Sequence, residues 1–260
     1  LYLTAVHDDA LGRLKGHVYK FNPDKKTIEH LATKPGIPNK EGFLNTICAH
    51  DGKIYYGGKG GLYELSGNKP IIEWPHLNVL AMCSYEGELI HLQEVIGLID
   101  PHEPSYFNAI DFKKSLTGDP IPFESEGGRV TAMCVHKGDL VHAEISFQGK
   151  METTIYKTKL NGAMIEREAI ATRSAATRAL WSHEEMLYDG GDYSFIAATE
   201  KDEIITPRRT NSCSPGALCT LNGRLTDAVG NQIWAGTQLL GELELGTSGF
   251  ITGMCSFKNK

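Results

Sequence analysis

The chain has 260 residues, 41% hydrophobic and 22% charged, with a net charge of −6. That balance is ordinary for a soluble globular fold, and the negative charge argues against nucleic acid as a partner. No apolar stretch approaches the ~20 residues of a membrane span, and Leu1-Tyr2-Leu3 carries no visible signal peptide, so no membrane partner is expected.

Short strand-like runs dominate, separated by polar turns. The chain opens on Leu1 to Ala5, then His17 to Asn22 and Thr27 to Ala32. A second group follows: Phe43 to Cys48, Lys53 to Gly58, Gly61 to Leu65 and Pro70 to Trp74. The third holds Ser105 to Phe112 and a Pro-rich loop around Asp119-Pro120-Ile121-Pro122. The fourth has a long hairpin, Leu140 to Phe147 and Met151 to Leu160, turning at Gln148-Gly149. The fifth runs Arg178 to His183, Met186 to Asp189, Ser194 to Thr199 and Glu203 to Pro207. The sixth runs Gly216 to Leu221, Leu225 to Val229, Gln232 to Gly236 and Leu239 to Leu245. Asp51-Gly52, Glu86-Gly87, Lys137-Gly138 and Asn222-Gly223 read as hairpin turns with Gly at positive φ; Glu184-Glu185 stands at the same place in the fifth group.

One phrase recurs through these groups: a small residue, then Leu, Ile or Met, then usually Cys. It reads Thr46-Ile47-Cys48, Ala81-Met82-Cys83, Ala132-Met133-Cys134, Ala179-Leu180-Trp181, Ala217-Leu218-Cys219 and Gly253-Met254-Cys255. Successive copies start 35, 51, 47, 38 and 36 residues apart, and 53 if Lys260 is joined to Leu1. Those steps fit the ~40–50 residues of a four-stranded propeller blade. The last copy lacks room for its second strand, which Leu1 to Ala5 supplies in register. The pattern predicts one all-β domain, residues 1–260: a six-bladed β-propeller of four-stranded antiparallel blades. Its C-terminal strand completes the N-terminal blade and closes the ring.

Five of the six cysteines share one column of the repeat, and Cys213 lies off it. They read as buried free thiols, which favours a reducing, cytoplasmic location. No spacing matches a zinc site.

In such a ring the first strand descends the channel and the second climbs back. First-strand starts and second-strand ends therefore share one face. The former are Asn45, Asn78, Arg129, Thr131, Arg178 and Thr252; the latter are His7, Asp8, Asp9, Lys59, Gln93, Glu94, Glu144, Asp189, Asp192 and Asn231. Arg129 and Arg178, from adjacent repeats, could clamp a carboxylate or phosphate. The competing reading pairs each Arg with Glu144 or Asp189 as a structural staple. The acidic group of Asp8, Asp9, Glu144, Asp189 and Asp192, with His7, could hold a hard cation or be ordinary solvated charge.

Histidines form two further columns. His50, His136 and His183, with Tyr85, fall two residues after the Cys/Trp position; His91 and His142 lie in second strands. Either column could bind metal or act as base, but repetition favours packing and hydrogen bonding between neighbouring repeats. Gly57-Gly58-Lys59-Gly60-Gly61 has a phosphate loop's glycine content but no following helix, so it reads as a tight hairpin.

Ala132-Met133-Cys134-Val135-His136 and Gly52-Lys53-Ile54-Tyr55-Tyr56 resemble the repeat of the six-bladed NHL and gluconolactonase group. Metal-dependent members use a Glu, two Asn and an Asp at inner-strand ends. The matching column here is Asn45, Leu80, Thr131, Arg178, Gly216 and Thr252, where only Asn45 is compatible, so that metal chemistry is not supported. The sequence leaves the cofactor unknown. Two functions remain. One is a non-catalytic propeller binding a small molecule or protein segment at its mouth, through Arg129, Arg178, Glu144, Asn45, Thr131 and Asp189. The other is a hydrolase or lyase in the channel mouth, with Arg178 to stabilise charge, Glu144 or Asp189 as acid or base, and a cation that could assist.

Overall fold

The computed structural model describes residues 1–8, 14–33, 43–95, 105–110, 121–123, 128–146, 151–161, 164–191, 196–198, 203–205, 215–245 and 249–257. Asp9, Asp192, Cys213 and the Gln148-Gly149 turn lie outside them, as does the side chain of Asp8.

The N-terminal strands are β1 (Tyr2–Asp8), β2 (Leu14–Asn22) and β3 (Thr27–Thr33). Next come β4 (Leu44–His50), β5 (Lys53–Glu64), β6 (Lys69–Tyr85), β7 (Glu88–Val95), β8 (Ser105–Ile110) and β9 (Ile121–Phe123). A third run holds β10 (Gly128–His136), β11 (Asp139–Ser146), β12 (Glu152–Asn161) and β13 (Met164–Arg173). A fourth holds β14 (Thr177–His183), β15 (Met186–Gly191), β16 (Ile196–Ala198) and β17 (Glu203–Ile205). The chain finishes with β18 (Pro215–Leu221), β19 (Arg224–Val229), β20 (Gln232–Ala235), β21 (Gln238–Glu242) and β22 (Phe250–Cys255).

Each sheet is an antiparallel meander, and together they form an all-β propeller with four-stranded blades. Four sheets have four strands: β22-β1-β2-β3, β10-β11-β12-β13, β14-β15-β16-β17 and β18-β19-β20-β21. The join of the two ends is as the repeat implied. β22 is innermost in the first sheet, with Tyr2 opposite Cys255 and Leu3 opposite Met254.

The sequence implied six separate sheets; the other six strands instead form one sheet, β4-β5-β6-β7-β8-β9. The cause is a link that never leaves extended conformation. β6 pairs with β5 through Lys69 at one end and with β7 through Tyr85 at the other. The Lys59–Asn78 pair carries the ladder across the link. Within β5 the chain folds back at Gly60 and Gly61 (φ 92° and 144°), bringing the Leu65 N–H to 2.9 Å from the Ile54 carbonyl. Ile121 and Pro122, expected in a loop, lie in β9. Among the described residues that strand is the edge of its sheet, where a proline costs no ladder bond on the outer side.

The innermost strands β22, β4, the second half of β6, β10, β14 and β18 contact one another in that order, and β18 returns to β22. The repeated phrase explains this packing. Its middle residue points back at the preceding inner strand, and its small and Cys positions point forward. Met82 packs with Cys48 and Leu89, while Cys83 packs with Met133 and Leu140. Cys255 and Ile47 share one cluster, Cys219 and Met254 another. Cys134 and Leu180 meet in the same way, and Trp181 reaches Leu218. Cys48, Cys83, Cys134, Cys219 and Cys255 are all buried free thiols. Burial pushes Cys48, Cys134 and Cys219 up to about 12, which keeps them neutral and unreactive.

The first hairpin of each sheet turns as expected. Asp51, Glu86, Lys137 and Asn222 have φ of 44–50°, each followed by a glycine at 72–84°. Glu185 must take φ 63° without that help, after Glu184 at 47°. Glu185→Gly is therefore expected to stabilise the protein by about 1 kcal/mol and raise Tm by ~2–4 °C. Thermal unfolding checks this, and a lowered Tm would contradict it.

Candidate functional site

The site is built by β-bulges, which the sequence does not announce. In each inner strand the register against the second strand slips by one residue. The slip falls between Leu44 and Thr46, Val79 and Ala81, Val130 and Ala132, Thr177 and Ala179, and Pro215 and Ala217. Between β22 and β1, Gly253 and Ile251 have successive partners. The skipped residues are Asn45, Leu80, Thr131, Arg178, Gly216 and Thr252, the column read from the repeat. A bulge leaves one residue out of the ladder and re-aims its side chain. Here all six line a single cavity of about 490 Å³ at one end of the channel. Arg129, Phe43 and Phe250 are also among its walls.

Hydrogen bonds hold this mouth across inner strands. The Asn45 amide donates to Asn78 Oδ1 at 2.7 Å and to the Val79 carbonyl at 2.9 Å. The Asn78 amide in turn donates to Glu94 Oε1 at 2.7 Å, and the Arg129 guanidinium donates to the same oxygen at 2.6 Å. The Thr131 hydroxyl donates to the Thr177 carbonyl, and the Thr252 hydroxyl donates to Thr4 Oγ1 at 3.1 Å. Asn45, Arg129, Thr131 and Arg178 all line this one cavity.

Glu144 and Asp189 do not line the cavity. Glu144 accepts from Arg167 at 2.8 Å, and the fully buried Asp189 accepts from Arg173 at 3.2–3.4 Å. Both arginines come from β13, the outermost strand of its sheet. The Arg129 guanidinium pairs with Glu94 at 2.6 Å. Among the described residues no group of three or more His, Cys, Asp or Glu could hold a metal ion; Asp8, Asp9 and Asp192 of the acidic group lie outside that statement.

The first histidine column bonds across inner strands. His50 Nδ1 lies 2.9 Å from Ser84 Oγ, His136 Nδ1 2.9 Å from Ser182 Oγ, and His183 Nδ1 3.1 Å from Thr220 Oγ1. The hydroxyls stand one residue after the Cys/Trp position of the next copy. That second column was legible in the sequence and went unread. Burial lowers His91 to about 4 and His142 to about 3, so both are neutral packing groups. His91 faces Gln93 at 3.3 Å and His142 faces Thr158 at 2.6 Å.

No protein-family model matches the chain, and no curated protein sequence matches it. Among solved structures it is similar to the WD40 β-propeller domain of Doa1, with TM-score 0.52 and 12% identity over 83% of this chain and 86% of that one. It also matches the computationally designed Ika8 protein, with TM-score 0.48 and 11% identity over 94% of this chain and 85% of that one. At 12% identity the first likeness shows the propeller fold alone, and the second carries no argument.

Proposed function

We propose that residues 1–260 form one six-bladed propeller that binds a small organic anion, a carboxylate or phosphate, at the bulge-lined mouth without chemical conversion. The count of six rests on dividing the six-stranded sheet at the β6 link, where Tyr85 and Lys69 serve different partners. One observation carries the binding reading. Six bulged residues from six inner strands converge on one cavity whose charged lining is Arg129 and Arg178. No carboxylate is among its described walls. A volume near 490 Å³ suits a small molecule. Phe43, Leu80, Phe250 and Ile251 would hold its apolar part, with Asn45, Thr131 and Thr252 at its edges.

Both arginines line the cavity, and the Arg129 guanidinium is held at its place in the wall by Glu94 at 2.6 Å. The hydrolase or lyase alternative loses support, because Glu144 and Asp189, its acid and base, are engaged by Arg167 and Arg173.

A thermal-shift screen of small carboxylates and phosphates tests the proposal. For any anion that stabilises the wild type, Arg178→Ala should weaken affinity about 30–150-fold, the loss of one charge-assisted bidentate contact. Arg129→Ala should weaken it as well. Unchanged affinity in Arg178→Ala would overturn the assignment.

A further inference from the structure

The channel is not one compartment. Below the mouth the middle residues of the repeated phrase close in, and the free space at Ile47, Met82, Met133, Leu180, Leu218 and Met254 falls to about 80 Å³. Beyond that neck it opens again into a chamber of about 220 Å³ at the opposite end. The two chambers differ in chemistry. Cys48, Cys83, Cys134 and Cys255 line the lower one, with Met82 and Met133 above them.

Its shape follows from one departure in the repeat. Where the other copies carry Cys, the fifth carries Trp181. The Trp181 indole N–H donates to Thr220 Oγ1 at 2.9 Å, which turns the ring toward the next inner strand. Cys219, behind it, is fully buried and is not part of the chamber wall. The ring of small side chains thus becomes a lopsided pocket with one flat aromatic wall. Its polar groups are mostly committed already: the Ser84 and Ser182 hydroxyls are taken up by His50 and His136. The thiols are neutral, since burial raises each one.

We infer that this lower chamber is a second ligand site, separate from the mouth, that takes a small neutral aromatic or other apolar molecule. Size and polarity both point there. An apolar cavity of about 150 Å³ is known to stay dry and admit benzene or xenon, and this one is larger. A charged ligand would lose its hydration and find no counter-charge among the described lining residues. A flat ring would stack on Trp181 and meet polarisable sulfur along its edge.

The probes are toluene and benzoate, the same ring without and with a charge. Toluene at ten times its dissociation constant should raise Tm by about 3 °C, and benzoate should give no shift that depends on Ser256. Ser256 lines the chamber beyond the end of β22. Ser256→Phe should plug the space without entering the packed core and abolish the toluene shift. A crystal pressurised with xenon places the site independently of any variant, with xenon expected beside Trp181. No toluene shift up to its solubility, a toluene shift that survives Ser256→Phe, or xenon found only elsewhere would each overturn the inference. Failure of the anion screen at the mouth would not affect it.

Discussion

Removing residues 250–260 is expected to abolish cooperative folding. That deletion takes away β22, the innermost strand of its sheet, and exposes the ladder edge of β1 from Tyr2 to Val6. It also strips two packing clusters. Ile251 and Met254 leave the cluster containing Leu3, Ala217 and Ile233, and Cys255 leaves the one containing Ile47 and Tyr56. Each large apolar side chain lost is worth ~1.5–3 kcal/mol. Two such losses, with six residues of ladder, approach the whole ~5–15 kcal/mol stability of a typical domain. A bare β1 edge also invites aggregation. Circular dichroism and size-exclusion chromatography should show an unfolded or aggregated product. Deleting only residues 258–260 spares β22 and should leave the folded elution profile unchanged. A folded, cooperatively melting 1–249 fragment would contradict the closure.

Arg173→Ala should be nearly as damaging as any single substitution can be here. Asp189 is fully exposed to no solvent, with 0% accessibility, and Arg173 covers it from β13 while its own side chain is 14% exposed. Removing the cation takes a charge-assisted partner from a buried carboxylate; breaking a buried pair in this way costs about 3–5 kcal/mol. At ~2–4 °C per kcal/mol, Tm should fall by at least about 6 °C. Asp189 pairs with Leu180 across the β14–β15 ladder, two residues past Arg178. The variant should therefore weaken anion binding as well as stability. Neutralising both partners, in Arg173→Met with Asp189→Asn, should recover much of the loss, because no uncompensated charge then remains. A drop under ~1 kcal/mol for Arg173→Ala would mean that Asp189 does not depend on this partner.

These two results bear on what a sequence can disclose. The closure was legible because the phrase ending in Cys255 lacks a second strand and Leu1 to Ala5 supplies one. The mouth column was legible because a fixed offset from that phrase selects Asn45, Thr131, Arg178 and Thr252 together. The bulges were not. A one-residue slip leaves no compositional mark when the slipped residues are as unlike as Leu80, Gly216 and Arg178. The ion pairs were hidden for a different reason. Arg167 and Arg173 reach Glu144 and Asp189 from an outer strand, so their pairing depends on sheet register and twist rather than on repeat position. The merged sheet was hidden because Trp74-Pro75-His76 reads as a break, since proline usually interrupts a strand, while the chain there continues extended through β6.

The histidine column shows the opposite case, in which the repeat carried more than was read. His50, His136 and His183 each face a hydroxyl one place after the Cys/Trp position of the next copy. Tyr85, in the same column, precedes a copy with Val135 there, which has no hydroxyl to offer. That correlation ties the column to packing between neighbouring inner strands.

The most direct measurement is a crystal structure of the protein soaked with whichever small carboxylate or phosphate stabilises it most in the thermal-shift screen. The account predicts the anion in the upper chamber, its oxygens against the Arg178 guanidinium and its carbon skeleton toward Phe43 and Phe250. An anion bound anywhere else, or a screen in which no carboxylate or phosphate stabilises the protein, would contradict it.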